Sequence, residues 1–479
     1  MTMILQLGGQ GRPRPGLRCH RGTPPTLRRL LRNSKWGFCP PRSSFLDTGA
    51  TSGARHGAGR HHRRGILSET PVMPSPFPSL LGGAAGIHAA DQVAMAALPL
   101  TVVIGLGAGA EMVGLLLAVQ AAAWLLCSMP AGVLVDRAPR RTALLLAGAL
   151  NVAGLGLAFA GSRAGLPPLL GLGVFAASAG VVLYVLAAGS AVPDLVPREQ
   201  MPGANARLEL CRAVVTLLAA PVVGGLAAAG WLHAAYGLAT ILAALGLAAL
   251  SRLPRRAAEA RADRPALMTQ LREGARFVLD QPLLRGIGLC AIFWNMGFFA
   301  LLAAFVPFAL SSLALEPGRV GLVQGGYGAG LLAGAALAPW CIRRLGPNAV
   351  LVIGPGVSVL APVLLSVAPA QGLALPVAAQ FLLGFGPMMW LVCQVSIRQA
   401  VTPRAMLGRV GATLQVAIYG VRPLGALLGG SLAGMSPAWG IALAGALFLA
   451  STAAVLGSRL VALRAIPLQS ASVPRAMAP

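Results

Sequence analysis

Gly132-Val133-Leu134-Val135-Asp136-Arg137-Ala138-Pro139-Arg140-Arg141 is a short polar run between two apolar stretches, each long enough to span a bilayer. A soluble core rarely holds arginines and an aspartate inside so apolar a neighbourhood. At a membrane surface the run makes physical sense. Arginines hold a loop on the cytoplasmic side, and the aspartate is left for a structural or switching role.

The rest of the chain has the same character. Of its 479 residues, 56% are hydrophobic and 11% charged, with a mean hydropathy of +0.73. Soluble domains carry about a quarter charged residues. A chain this apolar cannot cover itself with a surface that water accepts, so lipid is its solvent. The net charge of +25 would ordinarily suggest nucleic acid. Here the basic residues sit in short loops and one tail, and nucleic acid is not an expected partner. Lys35 is the only lysine, so no phosphate-binding loop ending in Gly-Lys exists and ATP hydrolysis by that route is excluded. The seven cysteines are scattered without metal-ligand spacing, so neither a metal site nor a disulfide framework is expected. No nucleophile-elbow serine or paired His/carboxylate motif lies in the apolar runs, which argues against an enzyme. No cofactor is expected.

A bilayer span needs about 20 mostly apolar residues. Such runs fall near 79–104, 111–135, 142–161, 167–191, 208–229 and 232–251, and then near 284–312, 317–341, 348–368, 372–396, 409–434 and 437–459. The expected fold is all-α and multi-pass, with twelve transmembrane helices in two six-helix halves, 76–251 and 284–461. Between them, 252–283 reads as a charged central loop, partly an amphipathic surface helix because Glu273, Arg276 and Asp280 recur at helical spacing. A short tail, 462–479, closes the chain.

Arginines set the orientation. Loop 2–3 carries Arg137, Arg140 and Arg141, and loop 4–5 carries Arg198 and Arg207. Loop 6–7 carries Arg252, Arg255, Arg256, Arg261, Arg264, Arg272 and Arg276. Loop 8–9 has Arg343 and Arg344, and loop 10–11 has Arg398 and Arg404. The alternate loops hold almost none beyond Arg163 and Arg319. The positive-inside rule then puts the even-numbered loops and both termini in the cytoplasm. A missed helix would have inverted the alternation downstream of it.

Residues 1–75 differ: rich in Arg, Gly, Pro and Ser, without apolar periodicity, they cannot bury a core and are expected to be disordered. They read as a basic cytoplasmic tail, as a nucleic-acid arm, or as a stretch preceding a true start at Met73. The last reading is favoured, because the apolar architecture begins just after Met73.

Ionisable groups within spans are expensive and carry functional hypotheses. Asp91 lies halfway along the first span, with His88 one turn earlier and Gln92 beside it. It reads as a proton or substrate site, or equally as a carboxylate buried to fix packing. Glu209 and Arg212, three apart, read as a local pair near the interface. Arg422, beside Pro423 in the eleventh span, would bind an anionic substrate or pair with a carboxylate such as Asp91. Prolines within spans (Pro99, Pro130, Pro221, Pro307, Pro387 and Pro423) are expected to bend helices. Glycines spaced by four, as in Gly330 and Gly334 or Gly425 and Gly429, are expected to let helices pack closely.

Two groups of six spans with Gly132, Asp136, Arg137, Arg140 and Arg141 between the second and third resemble the major facilitator superfamily. Further segments resemble its bacterial enterobactin-exporter and macrolide-efflux-like group. They are Asp91-Gln92-Val93 with Ala97-Leu98-Pro99-Leu100, and Pro193-Asp194-Leu195-Val196-Pro197-Arg198-Glu199-Gln200 followed by Ala204-Asn205-Ala206. Glu273-Gly274-Ala275-Arg276-Phe277-Val278 with Pro282-Leu283-Leu284-Arg285 resembles that group's entry to the seventh helix. Val401-Thr402-Pro403-Arg404, Gly408-Arg409-Val410 and Pro423-Leu424-Gly425 resemble its eleventh-helix region. The resemblance covers about 76–460. Two departures stand out: Cys341-Ile342 occupy the place of an acid after the eighth span, and the fourth span has no arginine.

The resemblance implies a secondary transporter working by alternating access, driven by an ion gradient, with protons as the coupling ion and a small amphipathic molecule, drug-like or siderophore-like, exported. Uptake by the same fold, or a non-transporting sensor or scaffold, are the alternatives. Spans 1, 4, 7 and 10 would line the cavity and offer Asp91, Gln92, Tyr184, Asn295, Trp390 and Gln394. Asp136 would stabilise the outward-open state by facing the start of helix 11 near Gly408 and Arg409. The expected setting is a monomer in the lipid of a bacterial cytoplasmic membrane.

Overall fold

The computed structural model describes residues 76–197, 200–254 and 267–466. The expectations for 1–75, for Arg198, for Arg255, Arg256, Arg261 and Arg264, and for the tail beyond 466 lie outside the described residues. Among the described residues, twelve helices are long and apolar enough to cross a membrane. The first six are Phe77–Gly105, Ala110–Arg137, Arg140–Ala164, Pro167–Val192, Gly203–Ala228 and Ala234–Ser251. The second six are Pro282–Ser311, Pro317–Leu345, Pro347–Ser366, Ala374–Val401, Arg404–Met435 and Pro437–Leu456. A shorter helix, Leu267–Asp280, joins the two groups.

Proline writes many of these starts. Pro167, Pro282, Pro317, Pro347 and Pro437 each sit in the first turn of their helix, where the missing N–H costs nothing. Within spans proline acts differently. Pro99 is followed by a π-helical turn, Thr101–Gly105. At Pro423 the eleventh span breaks into Leu407–Gly420 and Arg422–Met435. Pro423 cannot donate to the carbonyl of Tyr419, and the intervening Val421 ends one segment and starts the next.

Several loop expectations need correction, and Arg343, Arg344 and Arg398 belong to the last turns of the eighth and tenth spans instead of the loops after them. Gly132 to Arg137 belong to the last turns of the second span, not to a loop, and Arg140 already opens the third. The connection is only Ala138-Pro139: Ala138 is extended (ψ 152°), as a residue before proline prefers. Helix also begins at Met201 instead of near 208, so Arg207 lies in the fifth helix and not in the loop before it.

The leading helix contacts repeat between the halves with a shift of six spans. Spans 1·6, 3·4, 3·6, 2·4 and 1·5 pack in the first half, and 7·12, 9·10, 9·12, 8·10 and 7·11 in the second. The halves meet through 2·11 and 5·8, which the same shift relates to each other. Glycines make these contacts close. A Cβ on Gly114 would lie 2.5 Å from the carbonyl of Ala426, and one on Gly224 2.8 Å from the Cα of Gly321. Gly154 and Gly180 similarly approach the facing backbone of their neighbours within the first half.

The alternation of the spans puts the arginine-bearing loops on one face. Gly114, Gly430, Gly224 and Gly321 all lie toward the opposite face, and there the halves are sealed. Toward the arginine face, Gly132, Gly203, Gly408 and Gly411 meet nothing within 4 Å of an added Cβ. The closest glycine contacts between the halves thus lie on the face opposite the arginines.

Candidate functional site

Between the halves lies a cavity of about 280 Å³. The first half contributes His88, Asp91, Gln92, Gln120, Trp124 and Arg212; the second contributes Trp294, Asn295, Tyr327, Trp390, Gln394, Arg398, Tyr419 and Arg422. The cavity runs from mid-span residues such as Asp91 and Arg422 toward Arg398 and Gly411 near the arginine face.

Its centre is Arg422. The helix break at Val421 puts this residue in the first turn of the second segment, with its side chain against the seventh span. Arg422 Nε and Nη2 both donate to Asn295 Oδ1, at 3.0 and 2.9 Å. Asn295 is held for this by its own Nδ2, which donates to the Ala291 carbonyl at 2.9 Å. The guanidinium carbon lies 4.0 Å from the Tyr419 ring centre and 5.3 Å from that of Phe299. Tyr419 in turn packs on Trp124 of the first half, with centroids 4.7 Å apart. Phe298 packs at 5.9 Å from Phe299, 5.2 Å from Trp294 and 5.4 Å from Tyr327. One cation is thus inserted into an aromatic stack that crosses from one half to the other.

Of the residues singled out in the sequence, Asp91, Gln92, Asn295, Trp390, Gln394 and Arg422 line this cavity. Tyr184 does not. It is buried in the first half, with its ring edge-on to His88 at 5.6 Å, while Val181 and Val185 face the cavity in its place. Adjacent helical positions differ by about 100°, so a neighbour faces elsewhere. The pairing of Arg422 with Asp91 is not made: Asp91 accepts from Gln92 Nε2 at 3.3 Å, and Arg422 uses Asn295. Glu209 and Arg212 do pair, at 2.8 Å, but Arg212 also lines the cavity instead of remaining an interfacial residue.

The residues around Asp136 have separate partners. Arg141 Nη2 donates to the Ser251 carbonyl at 2.7 Å and so closes the C-terminus of the sixth span. Arg409 forms an ion pair with Glu273 of the joining helix. Thr413 Oγ1 donates to the Leu271 carbonyl at 3.2 Å, and Gly274 presses on the backbone of Arg409. Asp136 and Arg137 are exposed at the end of the second span, with Gly132 one turn inward.

Several lining groups carried no sequence signal. Trp124, Trp294, Tyr419 and Phe299 look like ordinary apolar residues in apolar helices. Arg398 looked like a loop charge, but it belongs to the last turn of the tenth span and reaches the cavity. A smaller recess continues from the cavity past Gln92 and Thr216 to Gln324 and Gln380. Gln380 is buried there, and Gln324 Oε1 is buried without a hydrogen-bond partner among the described residues.

Comparison with known proteins gives the architecture a context. A family model described as Major Facilitator Superfamily matches residues 80–316. Enterobactin exporter EntS of Citrobacter koseri is 30% identical over 347 residues, covering 68% of this chain and 78% of that protein. Enterobactin exporter EntS of Escherichia coli O139:H28 is 30% identical over 343 residues, with the same shares covered. Among solved structures, the nucleoside transporter NupG aligns with a TM-score of 0.66 at 13% identity, over 80% of this chain and 99% of that one. A bacterial homologue of the iron transporter ferroportin in an inward-facing state aligns with a TM-score of 0.63 at 14% identity, over 80% and 98%. At such identities these two structures speak for the fold alone. By its sequence relatives, its twelve spans and its paired halves, this chain is a transporter of the major facilitator superfamily and belongs to its enterobactin-exporter group.

Proposed function

We propose that the protein exports a small amphipathic organic molecule across the bacterial inner membrane by alternating access, driven by protons. The observation that carries this reading is the cavity itself. It is formed between two pseudo-equivalent halves that touch backbone to backbone toward one face, and its lining reaches Arg398 and Gly411 toward the other. Rocking of the halves about their interface would exchange the sealed and open sides. The arginine-rich face is the cytoplasmic one by the positive-inside rule, so the described state loads from the cytoplasm, as an exporter must. The mixture of rings and amides suits a molecule with aromatic and hydrogen-bonding parts better than a hydrated inorganic ion.

Asp91 is the carboxylate among the lining residues and our candidate for the coupling proton. It sits at mid-span beside the cavity with one long hydrogen bond, so a proton can be taken or lost there without breaking an ion pair. The test is flux in proteoliposomes with an imposed pH gradient, using enterobactin, the molecule named for the relatives, as first cargo. Gradient-dependent movement is expected in the wild type. Asp91→Asn should lose the dependence on the gradient. Unchanged gradient-driven flux in that variant assigns the proton elsewhere.

A further inference from the structure

The charges facing the cavity do not balance. Among the described residues, Arg212, Arg398 and Arg422 line it, and Asp91 is the one lining carboxylate. Arg212 is neutralised by Glu209 at 2.8 Å. Arg422 is not: no carboxylate stands within ion-pair distance among the described residues, and its hydrogen bonds go to a neutral amide. Arg398 stands in the same cavity, likewise without a carboxylate partner among the described residues. A guanidinium withdrawn from bulk water and balanced only by an amide dipole and two ring faces is incompletely compensated. Its one unused nitrogen, Nη1, is where an anion would complete it. The same place is walled by Trp294, Phe298, Trp390 and Tyr419.

We infer that the transported molecule is an aromatic anion, whose acidic group docks on Arg422 and whose ring lies against the tryptophan and phenylalanine wall. This inference rests on the transporter reading and narrows it to a substrate class. Asn295 acts here as a positioning residue: by taking Nε and Nη2 it leaves Nη1 for a ligand. Arg398, nearer the cytoplasmic mouth, attracts the same charge on entry. An aromatic cation would meet two uncompensated arginines, and Asp91 alone could not repay that repulsion.

The test uses three probes of one shape and different charge: biphenyl-4-carboxylate, biphenyl-4-carboxamide and 4-phenylbenzylamine. Binding to the purified full-length protein in nanodiscs is measured by calorimetry, with quenching of tryptophan fluorescence as a second readout. The carboxylate should bind at least about tenfold tighter than the amide, as expected for a charge-assisted hydrogen bond, and the amine most weakly. Arg422→Gln should erase the preference for carboxylate over amide while binding of the amide is kept, which also shows that the variant is folded. Arg422→Lys should retain part of the preference. Trp231→Ala, exposed on the far face, should change nothing.

Equal binding of carboxylate and amide, tightest binding of the amine, or sulfate binding tighter than the carboxylate would overturn the inference. So would absence of binding by all three probes up to millimolar concentration. Gradient-driven flux of enterobactin in the same preparation tells whether the transporter reading stands when the charge assignment falls.

Discussion

At the residue scale the protein is organised by a few polar groups that are expensive in a membrane. Arg422 is tolerated because Asn295 and two rings each take part of its charge. Replacing Asn295 by leucine removes the carbonyl oxygen and leaves two donors unsatisfied, a cost of about 1–3 kcal/mol. Gradient-driven flux of any cargo the wild type moves should fall about tenfold in Asn295→Leu, measured at matched protein density in vesicles. Asn295→Asp should behave differently: it supplies the missing carboxylate, neutralises Arg422 internally, and should erase the preference for the carboxylate probe without a loss of thermal stability. For Asp136 we propose a different task. Arg409 pairs with Glu273, and exchange of Arg409 toward Asp136 would accompany closure of the arginine-bearing side. Asp136→Asn should slow flux severalfold with normal membrane insertion; normal rates would remove Asp136 from the gate.

At the element scale the contrast is between helices that pack and helices that hinge. Gly114 and Gly224 allow backbone contact between the halves on the sealed face. A leucine at either position cannot fit without separation of the spans, and overpacking of this kind costs about 1–3 kcal/mol. Gly114→Leu should therefore move the population toward the outward-open state by about 5- to 150-fold. Spin labels placed across the sealed face should report longer distances; an unchanged distance distribution would show that this contact does not hold the seal. The hinge element is the eleventh span. Its break at Val421 lies next to the cavity cation, and its first segment, Leu407–Gly420, is attached to the joining helix through Arg409, Thr413 and the close approach of Gly274. Arg422 opens the second segment and packs on Tyr419 of the first, so the cavity cation and the connector between the halves lie on opposite sides of the break. Gly274→Leu should detach the joining helix and lower flux more than Glu273→Gln, because an ion pair this exposed contributes only about 0–1 kcal/mol.

At the scale of the whole molecule, two six-span halves with equivalent contacts enclose one cavity, and the sidedness is a matter of charge. A membrane-impermeant maleimide added to intact cells should label a cysteine replacing Trp231 and spare one replacing Arg344. The opposite pattern would invert the topology and with it the proposed direction of transport. Much of this level was legible in the chain. Span count follows from apolar run length, and arginine alternation orders the loops. The correction at Gly132 to Arg137 is one of helix length: Arg137 suits the C-terminal end of a helix and Asp136 is exposed there, so a polar run at a membrane surface does not mark a loop. The cavity was legible only in part. Asp91, Gln92, Asn295 and Arg422 show themselves because polar groups in apolar helices are rare. Tyr184 misled, because a ring in a helix gives no sign of which neighbour it meets.

The sequence by itself determined the bilayer as solvent, the twelve spans in two halves and the family, since each of these depends on local composition, spacing and motif. Only the tertiary structure decided which rings surround Arg422, that Asn295 and not Asp91 is its partner, and which side of the cavity is sealed. These depend on how far each helix is rotated about its axis and on which glycines touch across the halves. In a helix apolar on nearly every side, no hydrophobic periodicity remains to encode that rotation.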